Sequence, residues 1–425
     1  MARIVRFPDS FLWGAATASH QVEGDNRFND WWPHEQAGRL PISGAACDHY
    51  RRYEEDFDLA AAWHHNAHRL SIEWSRIEPE QGRWSEAGLA HYAAVIAALG
   101  RRKLEPVVTL HHFTNPAWFA ERGGWVRRDA ADLFRRYVEH VARRLPGVRY
   151  WVTINEPTVY LKHGFITGDW PPFRRSAWAA GSRVLRNMAR AHVAAFDALH
   201  AIDDRFSVGF AHSAPLVIAC REGGWGARLA ARMRDFMLND LFFRLIGAAA
   251  GRGRRPFDFV GVNYYTRTIV RAATTGPGIL FGAECRAEHH ADLGPPNQLG
   301  WEVYAPGLEV TLRRFGGYGV PVIVTENGLA TGDDDARSAF IRDHVRFLAR
   351  ALEGGVDVRG YFYWTLIDNY EWAHGTTARF GLAAIEPETL ARIPRSSARA
   401  FADICNTNGV AVDEPAPPRE ISARR

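Results

Sequence analysis

The sequence predicts a single (β/α)8 barrel of the α/β class. Three observations carry that reading. Eight short apolar runs recur along the chain, amphipathic helical segments fall between them, and no linker, internal repeat or low-complexity stretch divides the 425 residues. One such barrel commonly spans roughly 200 to 400 residues, so the whole chain can serve one core.

The runs are Phe11–Thr17, Ala67–Ile72, Glu105–Leu110, Tyr150–Asn155, Ser207–Ala211, Asp258–Asn263, Pro321–Glu326 and Val358–Trp364. Most are apolar throughout rather than alternating, as parallel strands buried on both faces should be. Between the second and third, Ser85 can cap a helix whose Leu89, Tyr92, Ile96 and Leu99 follow a helical period, with Gly100 placed just past its end. The stretch from Ala130 to Leu145 puts Leu133, Phe134, Tyr137, Val138 and Val141 on one stripe. The stretch from Ala336 to Leu352 does the same with Phe340, Ile341, Val345, Leu348 and Leu352. Asp333-Asp334-Asp335 before it reads as an N-terminal cap rather than a calcium site, because acids favour that end of a helix. Strands alternating with helices pair in parallel through right-handed crossovers, and eight such units close into a barrel. The barrel is assigned to residues 1–412. The remainder, 413–425, is Pro-rich and polar and is expected to fray.

Composition excludes several classes. Hydrophobic residues are 47% and charged residues 24%, which is ordinary for a globular chain and rules out wholesale disorder, a collagen-like repeat and a coiled coil. No apolar run approaches the ~20 residues that span a bilayer, and the N-terminus lacks the long apolar stretch of a signal peptide. A cytoplasmic protein with no membrane partner is expected. The net charge of +4 is a weak excess. Its densest patch, Arg252, Arg254 and Arg255 in a Gly-rich loop, reads as a solvated surface rather than a nucleic-acid site. Cys47, Cys220, Cys285 and Cys405 form no CxxC pair, so neither a metal site nor a disulfide framework is expected. His64-His65 reads as part of a helix, and His289-His290 as a loop without a spaced partner.

In such barrels the working residues come from the C-terminal strand ends. Those ends carry Gln21 and Glu23 after the first strand, and Arg69 in the second with Trp74 after it. His111-His112, Asn155-Glu156-Pro157, His212, Asn263-Tyr264-Tyr265 and Glu326-Asn327-Gly328 follow in turn. The eighth strand carries Trp364, with Asp368, Asn369, Glu371 and Trp372 beyond it. Stability asks for no acid at these positions, because a carboxylate there must be desolvated. Glu156 and Glu326 each close an apolar run, on strands four and seven, whose ends face one another across an eight-strand ring. One isolated glutamate of this kind reads as a salt-bridged strand end. A facing pair over an aromatic, Arg-bearing pocket fits glycosidic bond cleavage, with one proton donor and one nucleophile. The 15 tryptophans offer flat faces that stack on sugar rings, although a rich core explains the count equally well.

The chain resembles glycoside hydrolase family one, the β-glucosidase family, from FLWGAATASHQVEG at the start to RIPRSSARAF near the end. Thr153-Ile154-Asn155-Glu156-Pro157 is similar to its acid/base motif, and Val324-Thr325-Glu326-Asn327-Gly328 to its nucleophile motif. LGWEVYAPGL (299–308) and WTLIDNYEWAHGTTARFGL (364–382) are similar to two further signatures. The resemblance implies a retaining mechanism without a cofactor: Glu326 attacks the anomeric carbon, and Glu156 protonates the leaving oxygen and then activates water. Arg69 and Tyr265 match residues that contact the nucleophile, and Asn155 matches the partner of the sugar 2-hydroxyl. Gln21, His112, Asn155, Glu371 and Trp372 match the sugar pocket, with Trp364 and Phe380 as walls and Trp301 as the aglycone platform. Glu371, facing the 4- and 6-hydroxyls, implies unphosphorylated sugars. Two positions depart from the family. Phe113 replaces a tryptophan that gives an indole donor to the 3-hydroxyl. Thr158 replaces one that lines the aglycone side. The substrate implied is a small β-glycoside: a glucoside, galactoside or fucoside.

Three alternatives compete. A transglycosylase would use the same two glutamates. A metal-dependent barrel hydrolase would want a His-x-His pair at strand one, where the chain has only His20-Gln21. A non-catalytic sugar-binding protein would not need both glutamates.

Overall fold

The computed structural model describes residues 3–273, 281–286, 290, 293–294 and 296–412. The tail assigned to 413–425 and His289 lie outside the described residues. Eight strands form the barrel: β1 (Leu12–Ala16), β2 (Ala67–Ser71), β3 (Glu105–Thr109), β4 (Tyr150–Asn155), β5 (Ser207–Ser213), β6 (Phe259–Asn263), β7 (Val322–Asn327) and β8 (Val358–Trp364). Each pairs in parallel with the next, and β8 pairs with β1 to close the ring. Their side chains are buried almost without exception, as the apolar runs require.

The interior holds its own core. Leu12, Ala67, Val107, Val152, Phe259, Ile323 and Phe362, one or another from almost every strand, pack together inside the ring. The same column continues upward through Trp364 and Phe380, with Tyr265 and Trp301 packed against it. The plug of the barrel thus leads directly into the aromatic walls above it.

The helices follow the sequence with local corrections. Ser85 caps the helix Glu86–Arg101, its side chain accepting from the Gly88 N–H at 3.0 Å. Gly100 does not end that helix: it lies inside, and the left-handed stop is Lys103 at φ +57°, with Leu104 N donating to Leu99 O. A glycine earns a stop only where φ must be positive, and here a lysine takes that strain. The second helix closes at Ala142. Asp333 caps Asp334–Glu353 by accepting from the Asp335 and Ala336 N–H groups, both at 3.0 Å. His64-His65 is not helical. The helix His49–Ala62 ends first, His64 is left-handed and exposed, and His65 is buried edge-on against Phe401. In the basic loop, Arg254 pairs with Asp197 and Arg255 donates to Tyr318 O, so that patch is built into the surface.

Three additions lie outside the ring. Arg3–Arg6 pairs antiparallel with Gly409–Val412. Ala383–Ile385 pairs with Arg392–Pro394. A three-stranded sheet of Leu216–Ala219, Arg267–Arg271 and Ala283–Glu284 grows from the segments after β5 and β6. Among the described residues, no helix is long and apolar enough to cross a membrane.

Candidate active site

Glu156 is the first residue past β4 and caps the helix Pro157–Leu161. Its backbone is left-handed (φ +43°), held by its N–H donating to Ala211 O at 2.8 Å and by Pro157, whose ring suits the first helical position. Strained backbone of this kind persists only where the surroundings over-determine it, and it collects at working sites. The carboxyl accepts from Asn263 Nδ2 at 3.1 Å and from the Ser213 hydroxyl. Burial, and then the charge of Glu326, push it well above the ordinary carboxylic acid range. Glu156 therefore keeps its proton near neutral pH.

Glu326 lies within β7 and is just as buried, yet its neighbours differ. Arg69 Nη1 reaches Oε1 at 2.5 Å, and the Tyr265 hydroxyl donates to Oε2 at 2.6 Å. Burial and the charge of Glu326 hold the Tyr265 phenol protonated, hence always a donor. Arg69 itself is buried on β2 and fully engaged: it also donates to Asn155 Oδ1 (2.7 Å), Thr325 O (3.1 Å) and Thr109 Oγ1 (3.2 Å). A buried guanidinium needs such a set of acceptors to offset its desolvation. Glycine follows in Glu326-Asn327-Gly328 for a steric reason, since a Cβ at Gly328 would lie 1.9 Å from Trp364 O.

A polar band joins the two acids. Asn155 Oδ1 accepts from Arg69 and from Asn263 Nδ2 (3.2 Å), which turns its amide nitrogen toward His112 Nε2 at 3.3 Å. Burial and Arg69 hold His112 well below its usual value, so the ring is neutral. It lies nearly parallel to Trp364 and Trp372, 6.0 and 6.2 Å away. Gln21 Nε2 donates to Glu371 Oε2 (3.2 Å), and the Trp364 indole also bonds that carboxyl. Burial and Glu326 push Glu371 up to about 8. Trp301 and Phe380 flank Tyr265, with ring centroids 5.5 and 6.2 Å from it. Gln21 Oε1, His112 Nδ1 and Asn369 Nδ2 are buried without a protein partner, an arrangement suited to a ligand rich in hydroxyls.

The residues matched to the catalytic pair and the sugar pocket thus belong to one linked cluster. Asn263, read from sequence only as a strand end, and Thr325, whose hydroxyl donates to Asn263 Oδ1 at 2.6 Å, also belong to it, as does Ser213, which sequence reasoning passed over. Each is a polar residue at a strand end, a weak signal on its own. Other strand-end residues are structural. Glu23 pairs with Arg76, Asp368 with Arg395, and Trp74 packs on Tyr137. Thr158 is buried, its hydroxyl without a protein partner. Phe113, at φ +72°, wedges between Trp170 and Trp372. Among the described residues, the one group of three metal-type ligands lies near the small three-stranded sheet rather than at these strand ends.

The sequence pattern of glycosyl hydrolase family 1 matches residues 4–246 and 252–410, nearly the whole of the barrel. The chain belongs to glycosyl hydrolase family 1. This family 1 glycoside hydrolase is 30% identical to beta-glucosidase A of Thermotoga maritima, over 96% of its own length and 99% of that protein's. It is 28% identical to a 6-phospho-beta-galactosidase of Streptococcus equi subsp. zooepidemicus, over 96% and 100%. Its fold superposes on a beta-glycosidase from Pyrococcus horikoshii with a TM-score of 0.90 and 39% identity, covering 96% of this chain and 97% of that one.

Proposed function

We propose that this β-glycosidase is a retaining, exo-acting enzyme for unphosphorylated β-glucosides, β-galactosides or β-fucosides. The observation that carries this is the opposite setting of two buried glutamates. Glu326, against a guanidinium and a phenol, is the nucleophile. Glu156, held protonated by burial and by Glu326, is the acid. In the first step Glu326 attacks the anomeric carbon as Glu156 gives its proton to the leaving oxygen. In the second, Glu156, now a carboxylate, takes a proton from water as that water displaces Glu326 and releases the sugar. Such a pair works at a carboxyl separation of about 5–5.5 Å, and the charge of Glu326 is felt at Glu156, as neighbouring carboxyls require.

Asn155 suits the sugar 2-hydroxyl, because Arg69 and Asn263 fix its orientation. Gln21, His112, Glu371 and Trp372 suit the remaining hydroxyls, Trp364 and Phe380 wall the sugar, and Trp301 faces the aglycone. The case for unphosphorylated sugars changes in one respect. With Glu371 pushed up to about 8, its charge is not what turns a 6-phosphate away. The groups acting on Glu371 are Glu326, Gln21 and Trp364, none of them cationic, so a phosphate there would be desolvated without a counter-charge.

A 2-deoxy-2-fluoro β-glycoside with a good leaving group tests the reading. It should add one glycosyl mass to the protein, mapped by peptide digestion to Glu326. A label on any other residue would overturn the assignment. Product analysis with and without an acceptor alcohol separates hydrolysis from transglycosylation.

A further inference from the structure

We propose that Cys220, Cys285 and His290 form a site for a single thiolate-preferring metal ion, zinc above all. Sequence spacing argues against any metal site, because the two cysteines share no short motif. The three-stranded sheet overrides that spacing. Cys220 directly follows Leu216–Ala219, and its N–H donates to Val270 O at 2.8 Å. Cys285 directly follows Ala283–Glu284, and its N–H donates to Ile269 O at 2.8 Å. Both therefore flank the middle strand Arg267–Arg271, one on each side, where their thiols interact. His290 arrives from the segment beyond Cys285. All three side chains are buried, and their ligand atoms lie within 4.8 Å of one another.

The donor set selects the ion. Two thiolates and an imidazole suit zinc, and fit neither magnesium nor calcium, which ask for oxygen. Zn–S of ~2.3 Å and Zn–N of ~2.0–2.1 Å in a tetrahedron put ligand atoms roughly 3.4–3.8 Å apart, within the spread seen here. The fourth position is left to water or another small ligand. The same geometry disfavours a disulfide. The cysteines flank opposite sides of one strand, so their backbones are separated by about two strand spacings, roughly 9–10 Å. A disulfide wants Cα atoms within about 7 Å, whereas a metal bridges the wider gap. Binding would pin three separate chain segments together. One strand of that sheet carries Arg267, whose guanidinium pairs with Glu302 at 2.7 Å, the residue beside Trp301. The site therefore braces the wall of the pocket without touching its carboxyls, and it stands independently of the catalytic assignment.

The test uses the full chain, reduced and stripped with a chelator, then loaded with Zn2+ or Co2+ and desalted. Wild type should keep about one zinc per chain, and the cobalt form should show thiolate-to-cobalt charge transfer in the near ultraviolet with intense tetrahedral visible bands. Zinc should also raise the unfolding temperature and shield Cys220 and Cys285 from alkylation. Cys285→Ser and His290→Ala should lose the metal while keeping hydrolysis of an aryl β-glycoside. Wild type that shows no thiolate band, retains no more metal than Cys285→Ser, or contains a Cys220–Cys285 disulfide would overturn the proposal. The wild-type spectrum and alkylation decide even if a variant fails to fold.

Discussion

Glu156 and Glu326 leave the same end of one barrel, three strands apart, and are equally hidden from water, yet they meet opposite surroundings. Glu156 sits among neutral donors, Asn263 and Ser213. Glu326 sits against Arg69 and Tyr265. Burial raises the Glu156 carboxyl. What separates them is which carboxylate a buried guanidinium meets directly: Arg69, on β2, pairs with Glu326 on β7, while its bond to β4 goes to Asn155 rather than to Glu156. A single cation, placed on one side, gives two identical side chains different electrostatic surroundings. The proton that Glu156 keeps is partly a consequence of Glu326 beside it.

The comparison breaks most completely at Glu326. Glu326→Ala should lower kcat by on the order of 10^4-fold or more, as nucleophile loss does elsewhere, measured with an activated aryl β-glycoside. It should also free Glu156 from a neighbouring negative charge. Activity within tenfold of wild type would end the assignment.

Glu156→Gln comes next. Proton donation typically contributes 10^2 to 10^4-fold, so substrates with poor leaving groups should lose about that much. Activated ones should keep a rapid first step and stall in the second. The pH profile gives the sign. Wild type needs Glu156 protonated, so kcat/KM should fall as pH rises through its raised pKa, above the ordinary carboxyl range. In Glu156→Gln that alkaline limb should vanish. A uniform loss across leaving groups, with the limb intact, would show that another group is the acid.

Tyr265→Phe sharpens the Glu326 side. A hydrogen bond to a charged group is worth about 1.5–3 kcal/mol, so kcat/KM should drop by roughly 10- to 150-fold with the fold unchanged by circular dichroism. The smallest effect is expected at Ser213→Ala. Its hydroxyl lowers the Glu156 pKa, so removing it should move the alkaline limb to higher pH while costing only a few-fold in rate. A shift to lower pH would contradict the environment described for Glu156.

How much of this could be read in the sequence follows from the range of the forces involved. The eight strands were legible because burial on both faces leaves a continuous apolar run, and the two glutamates because each interrupts such a run at its end. Helix ends were less legible, as Gly100 and Lys103 illustrate, since any residue can take a left-handed stop if packing demands it. Ser213, and the partners of Asn263, stayed hidden because one polar residue at a strand end looks like any other until the neighbouring strand is placed. The Cys220, Cys285 and His290 group stayed hidden for a stronger reason: sheet pairing, not sequence spacing, brings it together. The lowered charge of Glu371 was equally invisible, since it arises from burial and from Glu326 across the pocket.

The division of labour between the two glutamates is tested most directly by the azide products of Glu326→Ala and Glu156→Ala, with an activated aryl β-glycoside as substrate. In Glu326→Ala the anion can enter only from the vacated nucleophile's face, so NMR should find the α-glycosyl azide. In Glu156→Ala the covalent intermediate still forms on Glu326, and azide displaces it to give the β-glycosyl azide. Opposite anomers from the two variants are the result this account predicts. The same anomer from both, or the reverse assignment, would contradict it.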